Sequence, residues 1–72
     1  MNKFAERLKQ VRLEKGLYQR DIGDALELSD SAIATYEKGS KQPTLNGFIG
    51  LCKYLDVSAD FLLGFSDDPK RK

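Results

Sequence analysis

Between Leu17 and Gly39 apolar residues return at three- and four-residue intervals in two short runs, Ile22, Ala25 and Leu26 in the first, Ile33 and Tyr36 in the second. This is the period of a helix buried along one face. Both runs are punctuated at their start. Ser29 is placed to cap the orphan amides of the turn that follows, and Leu28 and Ile33 flank that turn as a hydrophobic staple, so a helix is predicted from about Asp30. Leu17 and Ile22 repeat the staple around position 18, with Asp21 as the acidic third residue of a capping box at the positive helix end, so another helix is predicted from near Gln19. About three residues, centred on Glu27 and Leu28, remain between them, which suits two helices crossing steeply.

The flanking segments supply a scaffold. Phe4, Leu8 and Val11 form an apolar stripe with Ala5 beside it, predicting a first helix over Lys3 to Lys15 that Gly16 stops. Pro43 bars the preceding helix from continuing, Thr44 is placed to cap the next one, and Leu45, Phe48, Ile49, Cys52 and Leu55 give it a sustained stripe. Val57, Ser58 and Leu62 repeat the staple and cap for a short fifth helix ended by Gly64. No stretch alternates as a strand does and none repeats. The expectation is an all-α domain over residues 1–65, with a helix-turn-helix at its second and third helices, and a frayed charged tail over residues 66–72.

Composition narrows what such a domain can do. Seventy-two residues lie near the lower limit for a core that is stable without metals or disulfides. Cys52 has no second cysteine to pair with and the chain has no histidine, so no zinc site and no metal or other cofactor is expected. The absence of histidine, of a nucleophile paired with a base and of a glycine-rich phosphate loop argues against an enzyme. No pocket for a small-molecule ligand is expected beside so small a core. No apolar run reaches the roughly 20 residues that span a bilayer, and the charged start MNKFAERLKQ is unlike a signal peptide, so the expected location is cytoplasmic, away from membranes.

Arg12, Gly16 with Leu17, Gln19, Ile22, Ser29, Ile33, the run Tyr36-Glu37-Lys38-Gly39, Pro43 and the closing LDVSADFLLG together resemble the Cro and phage-repressor-like helix-turn-helix family, also called the XRE family, from about Phe4 to Gly64. The resemblance implies a five-helix lambda-repressor-like DNA-binding domain, bacterial or phage-encoded. Its second helix rests across the DNA backbone, and its third, about residues 30–37, enters the major groove of double-stranded DNA. Function then follows as a sequence-specific transcriptional regulator, with repression the default.

Carried over position by position, the resemblance assigns base-edge contacts to Ser29, Asp30, Ser31 and Thr35, whose small polar groups read bases weakly or through water. Ala32, with Ala34, either touches a thymine methyl or simply forms helix. Gln19 corresponds to a phosphate-contacting glutamine at the positive end of a helix dipole. Tyr18 stands where a small capping residue is usual and has a hydroxyl within reach of a phosphate. Lys9, Lys38 and Lys41 are candidates for phosphate neutralisation, with Arg7 and Arg20 behind them. Arg12 and Glu37 match a pair whose bidentate bridge fixes the angle of the reading helix. Leu63 and Phe65 exceed what so small a core can bury, and the resemblance makes them a homodimer interface that sets two reading helices about one DNA turn apart.

Three departures and the charge pattern complicate this picture. Besides Tyr18, Gly23 stands where alanine is preferred, at about 1 kcal/mol of helix propensity. Glu27 takes a turn position usually given to glycine. The formal net charge is only +1, and residues 21–37 hold Asp21, Asp24, Glu27, Asp30 and Glu37 with no lysine or arginine, although DNA affinity comes largely from phosphate neutralisation. Residues 1–20 are basic enough to flank a groove. The expected affinity is modest and strongly salt-sensitive, and needs two copies on a symmetric operator. The competing expectation is a protein-interaction module on the same fold, an antitoxin or regulator-binding adaptor.

Overall fold

The computed structural model describes residues 3–71, so the outermost positions of the expected domain and tail, residues 1, 2 and 72, lie outside it. Five helices follow one another: α1 (Lys3–Glu14), α2 (Gln19–Leu26), α3 (Asp30–Lys38), α4 (Leu45–Leu55) and α5 (Ala59–Leu63). No strand occurs among the described residues. Three helices start on a hydroxyl cap: Ser29 accepts from Ala32 N at 3.1 Å, Thr44 from Gly47 N at 3.1 Å and Ser58 from Phe61 N at 3.3 Å. Each such cap stabilises its helix by about 1 kcal/mol. At α2 the cap comes from the other direction. Tyr18 is the first residue outside the helix, and its backbone N–H donates to Asp21 Oδ2 at 2.7 Å.

The core is a single cluster in which Leu8, Ile22, Ile33, Leu51, Leu55, Val57 and Leu62 have their side chains fully buried. Burial of a side chain of this kind contributes roughly 1.5–3 kcal/mol. Phe4 and Phe48 tilt against each other at 5.8 Å between ring centres and bring α1 to α4. α1 packs on α3 and α5, and α2 packs on α3 and α4. α2 and α3 are thus wedged between the first and fourth helices.

One expectation is corrected here. The stripe on α4 is rotated: Leu51 and Leu55 are buried and Phe48 half-buried, whereas Leu45 and Ile49 face out and Cys52 is half-buried. Only Asn46, Lys53 and Tyr54 carry polar groups in this helix, so it is apolar on more than one side and periodicity alone does not choose its inner face. The segment after Phe65, expected to be a frayed tail, has hydrogen-bond partners in the body of the domain over the described residues. Ser66 O and Asp67 Oδ1 accept from Arg7 at 2.6 and 2.7 Å, Ser58 N donates to Pro69 O at 2.9 Å, and Arg71 reaches Asp56 at 3.3 Å. A charged composition suggested a solvated tail, but its backbone finds partners on α1 and α5.

Candidate nucleic-acid interface

The turn between α2 and α3 is closed by backbone contact. Leu28 N donates to Gly23 O at 2.7 Å, and Glu27, with φ 57° and ψ 39°, is the left-handed residue that turns the chain. A methyl group on Gly23 would lie 2.7 Å from Leu28 O and 3.3 Å from Asp30 N. No real side chain fits there, so glycine is required by the closeness of the start of α3 to the body of α2. The departure at position 23 and the tightness of the turn are one feature.

The other end of α3 is fixed by charge. Arg12 Nε donates to Glu37 Oε2 at 2.7 Å and Arg12 Nη2 to Glu37 Oε1 at 3.0 Å, while Arg12 Nη1 holds Leu17 O at 3.0 Å. The side chains are 10% and 4% exposed, so this bidentate pair joins α1 to α3 largely out of water. Its hydrogen bond to Glu37 raises the Arg12 pKa, outweighing the desolvation that lowers it. Gln19 Nε2 donates to Glu37 Oε1 at 3.2 Å and draws the start of α2 into the same network. One N–H of that amide and its carbonyl oxygen remain for another partner.

Ser29, Asp30 and Ser31 are exposed at the start of α3, and Ala32, Ala34 and Thr35 are partly exposed along it. Their hydroxyls are not idle. Ser29 Oγ and Ser31 Oγ share a hydrogen bond at 3.0 Å, and Thr35 Oγ1 donates to Ala32 O at 2.8 Å. Thr35 therefore offers a methyl group and an acceptor outward, with its one donor used inside the helix. Tyr18 is 70% exposed, and Lys9, Arg20, Lys38 and Lys41 are all exposed. Asp24, Glu27 and Asp30 are exposed too, so the acidic character read in the sequence is a property of the surface.

Arg7 is a correction. Instead of facing outward as a phosphate ligand, it is buried, stacks over the Phe61 ring at 4.2 Å and donates to Phe61 O at 2.6 Å as well as to Ser66 and Asp67. Its position one turn from Phe4 and from Val11 is the signal that places it beside the buried stripe of α1. Leu63 and Phe65 are exposed, at 45% and 80%, next to the buried Phe61 and Leu62. Among the described residues no group of three or more His, Cys, Asp or Glu side chains is assembled to hold a metal ion, and no helix is long and apolar enough to cross a membrane.

Known proteins share this arrangement. The chain is 33% identical over 69 residues to the uncharacterized HTH-type transcriptional regulator YobD of Bacillus subtilis (strain 168), an alignment taking in 96% of this chain and 62% of YobD. It is 40% identical over 60 residues to YqaE, another uncharacterized HTH-type transcriptional regulator of that bacterium, over 83% of this chain and 52% of YqaE. The chain thus spans a little over half the length of these relatives. Its fold superposes with a TM-score of 0.82 and 27% identity on the P22 c2 repressor in complex with a synthetic operator, covering 88% of this chain and 96% of that one. The restriction-modification controller protein C.AhdI from Aeromonas hydrophila gives a TM-score of 0.77 and 30% identity, over 83% and 91% of the two chains. The five-helix architecture is therefore that of lambda-repressor-like DNA-binding domains. A helix-turn-helix domain matches from residue 3 to residue 68, from the first turn of α1 to beyond α5, and the chain belongs to that family.

Proposed function

We propose that this chain is the DNA-reading domain of a cytoplasmic transcriptional regulator, a repressor, that sets α3 in the major groove of double-stranded DNA and works as a homodimer. The observation that carries this reading is that α3 is held at both ends while one of its sides stays open. The Gly23–Leu28 contact fixes its start, the Arg12–Glu37 bridge fixes its end, and Ser31, Ala34 and Thr35 are left on the free side. A helix fixed in this way is presented to the roughly 12 Å wide groove without having to be ordered on binding.

The roles follow from chemistry. Gln19, already oriented by Glu37, keeps an N–H for a phosphate at the start of α2, and Tyr18 and Arg20 flank it. Lys9, Lys38 and Lys41 neutralise the backbone on either side. Ser29, Ser31 and Thr35 meet base edges through acceptor oxygens and water, Ala32 packs with a thymine methyl, and Asp30 accepts from a cytosine or adenine amino group while repelling other bases. Leu63 and Phe65 join two copies so that a symmetric operator is read twice. Repression follows from occlusion by the bound dimer.

Selection of bound sequences from a random duplex library, followed by a salt series on the winner, tests this. A two-fold symmetric sequence should be enriched, and its affinity should fall steeply with added salt. No enrichment, with no duplex binding even in dilute buffer, overturns the proposal and favours the protein-interaction module, which the exposed Asp24, Glu27 and Asp30 would suit.

A further inference from the structure

The polar side chains of residues 29–35 are three hydroxyls and one carboxylate, those of Ser29, Ser31, Thr35 and Asp30. Most of their hydrogens are already spent. Thr35 Oγ1 lies 2.8 Å from Ala32 O, and a carbonyl oxygen has no hydrogen to give, so the threonine is the donor. Ser29 Oγ and Ser31 Oγ, 3.0 Å apart, share one more hydrogen whichever of them supplies it, and Ser29 Oγ also accepts from Ala32 N at 3.1 Å. One hydroxyl hydrogen is left. Acceptors remain in excess: neither oxygen of the exposed Asp30 has a partner among the described residues, and Thr35 Oγ1 keeps its lone pairs.

Base edges in the major groove match this set in one sense only. Guanine offers two acceptors there, N7 and O6, and its recognition calls for two donors side by side. Residues 29–35 can supply one. Adenine and cytosine instead offer a donor, the amino hydrogen at N6 or N4 that base pairing leaves free. The first amides of α3 do not change the count, because they point out along the helix axis, where a phosphate is met. Lys38, the one cation of the helix, stands seven residues and roughly 10 Å beyond Ser31, next to the residue bridged to α1. In a groove about 8.5 Å deep, a helix that enters by its start leaves Lys38 at the mouth.

We propose that Asp30 and Thr35 discriminate bases through amino groups alone, adenine N6 and cytosine N4, and that a methyl on such an amino group in the operator releases the protein. This rests on the DNA binding proposed above and goes beyond it in naming the group that is read and the DNA modification that blocks it. In a duplex one amino hydrogen is held by the pairing partner, so a methyl on the nitrogen replaces the other, the hydrogen that the side chain accepts. The oxygen is then set against a methyl group, without the hydrogen bond or the water it gave up.

Fluorescence anisotropy of the 72-residue chain on its selected duplex, with one base exchanged at a time, tests this. N6-methyladenine or N4-methylcytosine at a read position should weaken binding about tenfold or more, whereas 7-deazaguanine, which lacks the N7 acceptor, should leave it unchanged at every guanine. The two methylated bases separate an adenine reader from a cytosine reader. In Asp30→Ala and Thr35→Val the ratio of unmethylated to methylated affinity should return to about one at the base that each side chain reads. That ratio is insensitive to the charge lost with Asp30, which raises affinity for all DNA alike. A loss of about tenfold with 7-deazaguanine, or binding indifferent to every amino methyl, overturns the amino-group code. A methyl penalty unchanged in both variants overturns its assignment to Asp30 and Thr35, and failure to bind any duplex overturns the DNA binding itself.

Discussion

Glu27 adopts φ 57°, a left-handed conformation that costs a side-chain-bearing residue roughly 1–2 kcal/mol, and it does so beside the helix proposed to enter the DNA groove. Glu27→Gly should therefore stabilise the domain by about 1 kcal/mol in urea unfolding, and it should also tighten DNA binding by removing a negative charge. Arg12 and Glu37 behave oppositely. Arg12→Met leaves a carboxylate that is 4% exposed without its guanidinium and should cost about 3 kcal/mol. Replacing both residues with Met should cost less than the sum of the single losses, a difference that a double-mutant cycle reads. Because folding raises the Arg12 pKa, the stability from its charge is fully present below the ordinary guanidinium pKa and is lost only above it. The bridge should thus be flat across neutral pH. At this scale the serine and threonine caps were legible in the sequence, because a cap and its amides lie three residues apart. Arg7 was not, because its partners lie 54 to 60 residues further along.

Among the elements, the angle between α2 and α3 depends on a single missing methyl group. Gly23→Ala should gain about 1 kcal/mol of helix propensity, yet the new Cβ meets a backbone oxygen at 2.7 Å that no rotamer change can move. The net result should be a loss of about 1–3 kcal/mol in urea unfolding, with the start of α3 displaced. The existence and order of all five helices could be read from apolar spacing and caps, since both are local. The inner face of α4 could not, because Leu45, Ile49 and Leu51 are all apolar and the face that is buried is set by what packs against the helix, α2 foremost. The docking of residues 66–71 was hidden for a related reason: it relies in part on the backbone carbonyls of Ser66 and Pro69, which every sequence supplies, and in part on ion pairs between residues far apart in the chain.

For the whole molecule the question is how a chain of net charge +1, acidic along α2 and α3, would hold the polyanion proposed as its partner. The proposed answer is position. A few cations and helix amides are set around one presented helix, and two-fold pairing multiplies the effect. It follows that Gln19→Ala or Lys41→Gln should weaken binding to every duplex alike, with Lys41→Gln lowering the salt slope by about one. Ser31→Ala or Thr35→Val should instead change which sequence is preferred. Equal losses on all sequences from all four would remove the division between backbone and base contacts.

The central claim is that α3 itself enters the groove. Titration of the isotopically labelled chain with a selected operator duplex at low salt, followed amide by amide, tests it most directly. The largest shifts should fall on residues 29–35 and at Gln19, with α5 moving little beyond what dimerisation brings. Saturable binding that leaves residues 29–35 unshifted would contradict it.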